Sequence, residues 1–327
     1  MGPTMRAVAY TGLDGPNDFQ LIDEPVPTPA KGEVLIRVSR VGVNAADKIL
    51  LDTGFNLFTG QPSAQISGSV IPGGEVVGVR EDTGQRVVAL CGAGGYAEWV
   101  AVSAARVYPV PDHVDDTDAL TLMASGLTAW FLYEAAHVAP GESVVITGAA
   151  GALGSIAVQL GVCRGAGRVI ALASTPKKRQ FAQDLGAHAV TDSSAERLAG
   201  RLVEANDGAP VDVVFDMVGG KVFEEARAAL APFGRLVVFG TASGDSPTLE
   251  TVSLAFGSHS VTGVWLPNFV DAGLAGPALD KLFELHGRGE VRTQEGPLFD
   301  LEHAREAQDA LADRNTFGKV QIDVTTR

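Results

Sequence analysis

From Val144 to Gly154 the chain reads Val-Val-Ile-Thr-Gly-Ala-Ala-Gly-Ala-Leu-Gly, an apolar run that breaks into small residues at Gly148. A strand that turns through glycines into a helix lets backbone approach a pyrophosphate and aims the first helical N–H groups at its charge. Ala150, Gly151, Ala152, Leu153 and Gly154 are therefore predicted to hold the diphosphate of a dinucleotide, although Ala149 stands where G-x-G-x-x-G has its first glycine. The second strand ends Ala173-Ser174-Thr175 with no acidic residue to accept from a ribose hydroxyl, and Lys177, Lys178 and Arg179 follow at once. An acidic side chain there would repel a 2′-phosphate. Its absence beside three cations points to NADPH, with Ser174 and Lys178 on the 2′-phosphate. The alternative is a solvated first turn of the next helix.

These residues need a scaffold of alternating elements, and the pattern supplies one. Apolar strands at Ser143–Thr147, Arg168–Ala173, Ala187–Val190, Val211–Phe215 and Arg235–Phe239 are separated by helical stretches at Ala152–Arg164, Pro176–Leu185, Ala195–Glu204 and Lys221–Leu230. Near-continuous apolar strands joined through helices predict a parallel sheet covered on both faces. From Arg6 to about Val110 the texture differs. Short runs such as Val34–Val38, Gly74–Gly78 and Gln85–Leu90 lie between turn signals and predict a β-rich barrel-like region. Pro25, Pro27 and Pro29 are barred from any central strand. Residues 115–136 carry a helical pattern, and after Ser260–Trp265 come two more helices and a last strand, Lys319–Val324.

The 327 residues suit two domains. With 25 Lys+Arg against 39 Asp+Glu the net charge is −14, which disfavours nucleic acid and anionic lipid as partners. Ser143–Cys163 is uncharged, but its glycines argue for strand, turn and helix over a membrane span. The start lacks the basic and apolar regions of a secretory signal, and only Cys91 and Cys163 are present, so a reduced cytoplasmic setting is expected. Both thiols are expected in the core, and Tyr96 is expected to pack or bond locally. No G-x-S-x-G occurs, so a serine-hydrolase elbow has no support.

Taken in order, Arg37–Asp47, Gly94–Glu98, Ala124–Ala129, Pro140–Glu142, Gly148–Gly154, Phe215–Gly220, Gly234–Gly240 and Phe317–Val320 resemble the zinc-independent medium-chain dehydrogenase/reductases of the quinone oxidoreductase family over nearly the whole length. The resemblance implies an α/β fold: a GroES-like β-rich substrate domain (1–113 and 268–327), a doubly wound Rossmann cofactor domain (114–267), and an active-site cleft between them. It implies a homodimer through the edge strand 260–265. It also places Asn44 by the nicotinamide and Thr128 on its carboxamide. Gly240, Thr241 and Ala242 would pass beside the ring, with Val264 and Leu266 on its other side, and Val218 and Lys319 would complete the cofactor contacts.

Zinc-dependent relatives carry a Cys near the position of Asn44 and a His within Pro72-Gly-Gly74-Glu75. Both are missing here, as is the four-cysteine zinc lobe, and the six His residues show no H-E-x-x-H spacing. Without a Lewis acid, a conjugated acceptor that delocalises incoming charge is easier to reduce than an isolated ketone. The expected reaction is hydride transfer from NADPH to a quinone or to the C=C of an α,β-unsaturated carbonyl. The alternatives are an enoyl reductase tailoring a polyketide-like biosynthetic intermediate and an NADPH-binding protein without turnover.

Quinone oxidoreductases often place a Tyr five residues after the Asn. Ile49 stands there, which leaves Lys48 or solvent as proton source. Ser193 replaces a family Tyr near the 2′-phosphate. Gly60–Val70 reads as extra length at the cleft mouth, and Val79–Arg86 as a shortened connection.

Overall fold

The computed structural model describes residues 2–11, 19–57, 61–62, 70–313 and 315–326. The chain divides into two compact units. The first comprises Met1–Ala124, Val270–Gly287 and Thr293–Arg327, and the second Ser125–Phe269 with Arg288–Arg292.

The second unit is built on six parallel strands, Ser143–Ile146, Arg168–Leu172, Ala189–Thr191, Val211–Asp216, Leu230–Val238 and Ser260–Gly263. Numbered in chain order within this sheet they lie side by side as 3-2-1-4-5-6, the doubly wound order in which ligands bind outside the carboxyl ends of strands at the point where the order reverses. Val144, Val145, Ile146, Val213, Val214 and Phe215 are all fully buried, as strands covered on both faces require. The uncharged stretch Ser143–Cys163 resolves into the first strand and the helix Ala152–Cys163. Among the described residues no helix is long and apolar enough to cross a membrane.

The first unit holds a seven-stranded sheet running Glu295–Asp300, Lys319–Asp323, Glu33–Gly42, Glu75–Arg80, Arg86–Leu90 and Val107–Pro109, with Trp99–Ser103 also paired to Glu33–Gly42. Thr4–Tyr10 and Phe19–Pro25 form a separate ribbon. Pro25 falls on the last residue of its strand, where the missing N–H costs no central ladder bond. Val34, Ile36, Val38, Val41, Val76, Val87, Val320 and Ile322 pack into one core.

Several expectations need correction. Leu230 opens a strand, where the apolar pattern had continued the preceding helix, which ends at Ala228. The C-terminal region contains three helices, Leu266–Asp271, Ala275–Gly287 and Ala304–Ala312, plus a strand at Glu295–Asp300 that pairs in parallel with Lys319–Asp323. That strand carries Gly296 and Pro297, residues that depress strand propensity and hid it. The 115–136 helix is interrupted by a π-helical turn at Leu122–Gly126. Cys163 ends its helix exposed, outside the core. Tyr96 packs in the core as expected, and its hydroxyl accepts from the distant Gln308 Nε2 at 2.7 Å. Residues 60 and 63–69 of the Gly60–Val70 segment lie outside the described residues. The shortened Val79–Arg86 connection closes as a tight turn, with Arg80 N–H donating to the Gln85 carbonyl at 2.9 Å.

Candidate active site: a dinucleotide cradle and a buried polar cluster

Parallel strands deliver their C-terminal ends to one edge of the second unit. Gly148 follows the first strand there, and Met217 to Gly219 follow the fourth, on the two sides of the switch point. Gly148 has φ +64°, and a Cβ on it would lie 2.5 Å from Met217 Sδ. Gly154 sits so close to the turn that a Cβ would stand 2.7 Å from Ala149 Cα. A Cβ on Gly151 would meet only the Gly148 carbonyl, at 3.5 Å. Gly151 is the N-cap of the Ala152 helix and offers no side chain to its first turn. The opening N–H groups of a helix have no intrahelical acceptor and carry the positive end of its dipole. A tight floor, an open face at Gly151 and unclaimed donors above it fit the diphosphate of a dinucleotide.

The neighbouring loops are set by a buried carboxylate. Asp216 is fully buried, and its oxygens accept from Val218 N–H and Gly219 N–H, each at 3.0 Å. Thr147 Oγ1 accepts from Met217 N–H at 2.9 Å, tying this loop to the base of the glycine turn. Burial pushes the Asp216 carboxyl up, against those N–H donors. Ala242 N–H donates to the Met217 carbonyl at 2.8 Å and Ser243 N–H to Val218 at 2.9 Å, so Gly240, Thr241 and Ala242 lie alongside Met217 and Val218. Val264 and Leu266, 6% and 7% exposed, follow the sixth strand at the same edge. Thr128 is half-buried in the first turn of the helix Leu127–Ala136.

At the end of the second strand Ser174 is exposed, and Thr175 caps the helix Pro176–Asp184 by accepting from Lys178 N–H at 3.2 Å. Arg179 is engaged with Asp192 at 2.9 Å and with the Ala173 carbonyl at 3.0 Å. Lys178 is half-buried, and desolvation lowers its ammonium pKa. Ser193 lies after the strand Ala189–Thr191, beside Asp192.

The first unit carries the remaining candidates. Asn44 is the N-cap of the helix Ala45–Thr53. Its N–H donates to Asp47 Oδ2 at 2.8 Å. Asn44 Nδ2 donates to Glu75 Oε1 at 2.9 Å and to the Gly42 carbonyl at 3.3 Å, and Asn44 Oδ1 accepts from Lys319 Nζ at 2.5 Å. Lys319 is also ion-paired with Glu75, and both are sealed from solvent. Asp47 is fully buried, and desolvation pushes its carboxyl up to about 7 against the pull of the Asn44 N–H and Lys319. The same burial, with Asp47 nearby, pushes the Cys91 thiol up; an inert thiol follows. Lys48 is half-exposed and pairs with Asp52 at 2.7 Å.

Glu75, Asp47 and Asp216 escaped notice as functional residues. Each lies inside a quoted motif, but only its burial distinguishes it from an ordinary surface acid. Glu75 offered one signal, a lone charge opening the apolar run Val76-Val77 directly after two glycines.

Residues 30–112 match the alcohol dehydrogenase GroES-like domain, and residues 152–281 the family described as zinc-binding dehydrogenase. Among the described residues no group of three or more His, Cys, Asp or Glu side chains is placed to hold a metal ion. Quinone oxidoreductase from Pseudomonas aeruginosa is 31% identical over 324 residues, covering 97% of this chain and 99% of that one. Mouse prostaglandin reductase-3 is 31% identical over 348 residues, covering 98% and 90%. The Thermus thermophilus quinone oxidoreductase, solved alone and with NADPH, superposes with a TM-score of 0.82 at 36% identity over 98% of this chain and all of that one. A mycobacterial protein solved with NADPH gives 0.88 at 31% identity, over 98% of this chain and all of that one.

A GroES-like unit and a doubly wound nucleotide sheet in one chain define a medium-chain dehydrogenase/reductase, an oxidoreductase. Within that class the chain belongs to the quinone oxidoreductase family.

Proposed function

We propose that the protein is an NADPH-dependent reductase that passes hydride to a conjugated carbonyl acceptor, a quinone or an α,β-unsaturated ketone. The observation that carries this reading is the pairing, on one sheet edge, of the Gly148–Gly154 turn with a second strand that ends in Ser174 and is followed by a partly desolvated Lys178. The NADPH held by two of the similar proteins supports it.

The N–H groups of Ala152, Leu153 and Gly154 hold the diphosphate, which approaches over Gly151, whose own N–H is donated to the Gly148 carbonyl at 3.1 Å. Lys178 and Ser174 receive the 2′-phosphate, with Ser193 at the rim. Backbone of Val218 and Gly240–Ala242, together with the side chains of Val264 and Leu266, walls the nicotinamide and excludes water. Thr128 fixes its carboxamide. Bound NADPH supplies the hydride. Asn44 offers an amide oxygen whose second lone pair orients a hydroxyl or carboxamide donor. A conjugated acceptor spreads the charge it receives over several atoms, so placement in a dry site suffices without a Lewis acid. The following proton comes from water, since the Lys48 ammonium is already paired with Asp52 on an exposed helix face. Relatives described as quinone oxidoreductase and as prostaglandin reductase stand at equal identity, so both acceptor classes belong in the test.

The assembly we propose is a homodimer through Ser260–Gly263. This strand is the edge of the sheet, pairing in the chain with Leu230–Val238, and an unpaired edge is a template for a second copy.

Steady-state oxidation of NADPH and NADH against a benzoquinone, a naphthoquinone, a linear enone, a cyclic enone and a simple ketone tests the proposal. Turnover of a quinone or enone with NADPH preferred is expected. Reduction of the ketone alone would overturn it.

A further inference from the structure

Three stretches far apart in sequence meet inside the first unit, and each brings one polar side chain. Asn44 caps a helix, Glu75 opens a strand, and Lys319 opens the last strand of the chain. Glu75 is 0% and Lys319 2% exposed. Oε1 of Glu75 takes both the Lys319 ammonium and the Asn44 amide, while Oε2 accepts from Ala124 N–H at 3.0 Å. Ala124 lies in the π-helical turn Leu122–Gly126. Such turns leave backbone groups outside the regular helical ladder, and here the carboxylate takes one of them.

The amide of Asn44 has one orientation in this setting. Its carbonyl faces an ammonium and its NH2 faces a carboxylate. Flipping it would set donor against donor and acceptor against acceptor in a desolvated pocket, where unmet polar groups are costly. Both amide hydrogens are committed, one to Glu75 and one to the Gly42 carbonyl. An amide oxygen has two lone pairs, and Lys319 takes one. What the amide has left to offer is therefore an acceptor and no donor.

Asn is also among the best helix N-caps, because its side chain can serve the first turn. Here Asp47 holds the Asn44 N–H, and the Asn44 amide reaches for Glu75 and Lys319. A buried ion pair adds little stability that an apolar pair of the same volume would not. What apolar side chains would not supply is direction. We infer that Glu75 and Lys319 are positioning residues that lock the Asn44 carboxamide in this one orientation, its NH2 on the carboxylate and its oxygen on the ammonium. This rests on the reading of Asn44 as the residue that touches the cofactor, and it assigns Lys319 to Asn44, in place of direct contact with the cofactor.

The test uses the full-length protein with NADPH and 1,4-naphthoquinone, or the best acceptor of the panel. The paired variant Glu75→Met with Lys319→Met keeps volume and removes both charges together. It is expected to lose at least tenfold in kcat, with KM for NADPH within twofold of wild type. Lys319→Arg keeps the charge and is expected to recover most of kcat. The paired variant at wild-type kcat overturns the proposal. So does a Lys319→Arg or paired variant whose KM for NADPH rises while kcat holds, because Lys319 would then be a cofactor contact.

If the paired variant does not fold, the wild-type protein without NADPH supplies the readout. The two Asn44 side-chain amide protons, assigned by their loss in Asn44→Ala, are expected to be resolved and slow to exchange. Rapid exchange at the rate of a solvated amide overturns the lock. Asn44→Ala also separates the two levels. Wild-type kcat in that variant sinks the role of Asn44 itself, whereas a low kcat there beside a normal kcat in the paired variant sinks only the positioning.

Discussion

Gly42 and Lys319 leave no room between them for a methyl group. A Cβ at residue 42 would stand 2.7 Å from Lys319 Cε and closer still to Glu75 Oε1. The buried pair thus depends on a residue that is glycine for reasons of space.

Gly42→Ala is expected to push the pair apart, lowering stability by about 1–3 kcal/mol, the usual cost of overpacking a core, and lowering kcat. Gly200 is the control. It lies within the helix Leu198–Ala205, and a Cβ there meets nothing within 4 Å, so Gly200→Ala is expected to stabilise by about 0.5–1 kcal/mol with activity intact. Chemical denaturation of both variants checks this, and a more stable Gly42→Ala protein would contradict it.

Lys178→Ala is expected to raise KM for NADPH roughly 10- to 100-fold, the range of about 1.5–3 kcal/mol for a hydrogen bond to a charged group, while leaving KM for NADH unchanged. Steady-state kinetics with both cofactors decide. Wild-type NADH use at equal or better kcat/KM than NADPH would defeat the 2′-phosphate assignment.

Gly154→Val sets a branched side chain against Ala149 and the Gly148 carbonyl. Calorimetric titration is expected to show no NADPH binding to a variant that still folds, as judged by circular dichroism. Undiminished binding would remove the turn from the cradle.

Asp47 predicts a pH effect with a definite sign. Its carboxyl is pushed up from 3.8 to about 7 by burial, among Lys319, Glu75, Cys91 and Tyr96. Between those two values the unfolded chain is ionised there and the folded chain is not. The folded state then binds the extra proton, so this group lowers stability as pH rises from about 4 to about 7 and holds it lowered above. Asp47→Asn removes the titration. Its stability relative to wild type is expected to rise between pH 5 and pH 8, by on the order of 3 kcal/mol. Urea denaturation at both pH values measures the difference, and a flat difference contradicts the assignment.

The nucleotide sheet was legible because both of its signals are local. Val144–Ile146 and Val213–Phe215 are unbroken apolar runs, and the glycine turn declares itself by spacing alone. Glu295–Asp300 was not legible, since it pairs with a strand further along the chain and contains Gly296 and Pro297. Asn44 was found through resemblance, but its environment was hidden, because its partners Glu75 and Lys319 lie 31 and 275 residues away. Lys319 was expected, through the same resemblance, to touch the cofactor. Only the fold reveals that it is sealed against a carboxylate.

The central claim, that hydride leaves bound NADPH for a conjugated acceptor, is tested most directly by a single turnover. Protein loaded with one equivalent of NADPH is mixed with excess 1,4-naphthoquinone or cyclohexenone, and the absorbance of the reduced nicotinamide is followed. Complete loss in one exponential phase with at least one acceptor is the expected result. NADPH that stays bound and reduced with both would mean a nucleotide-binding protein without turnover, and would contradict the account.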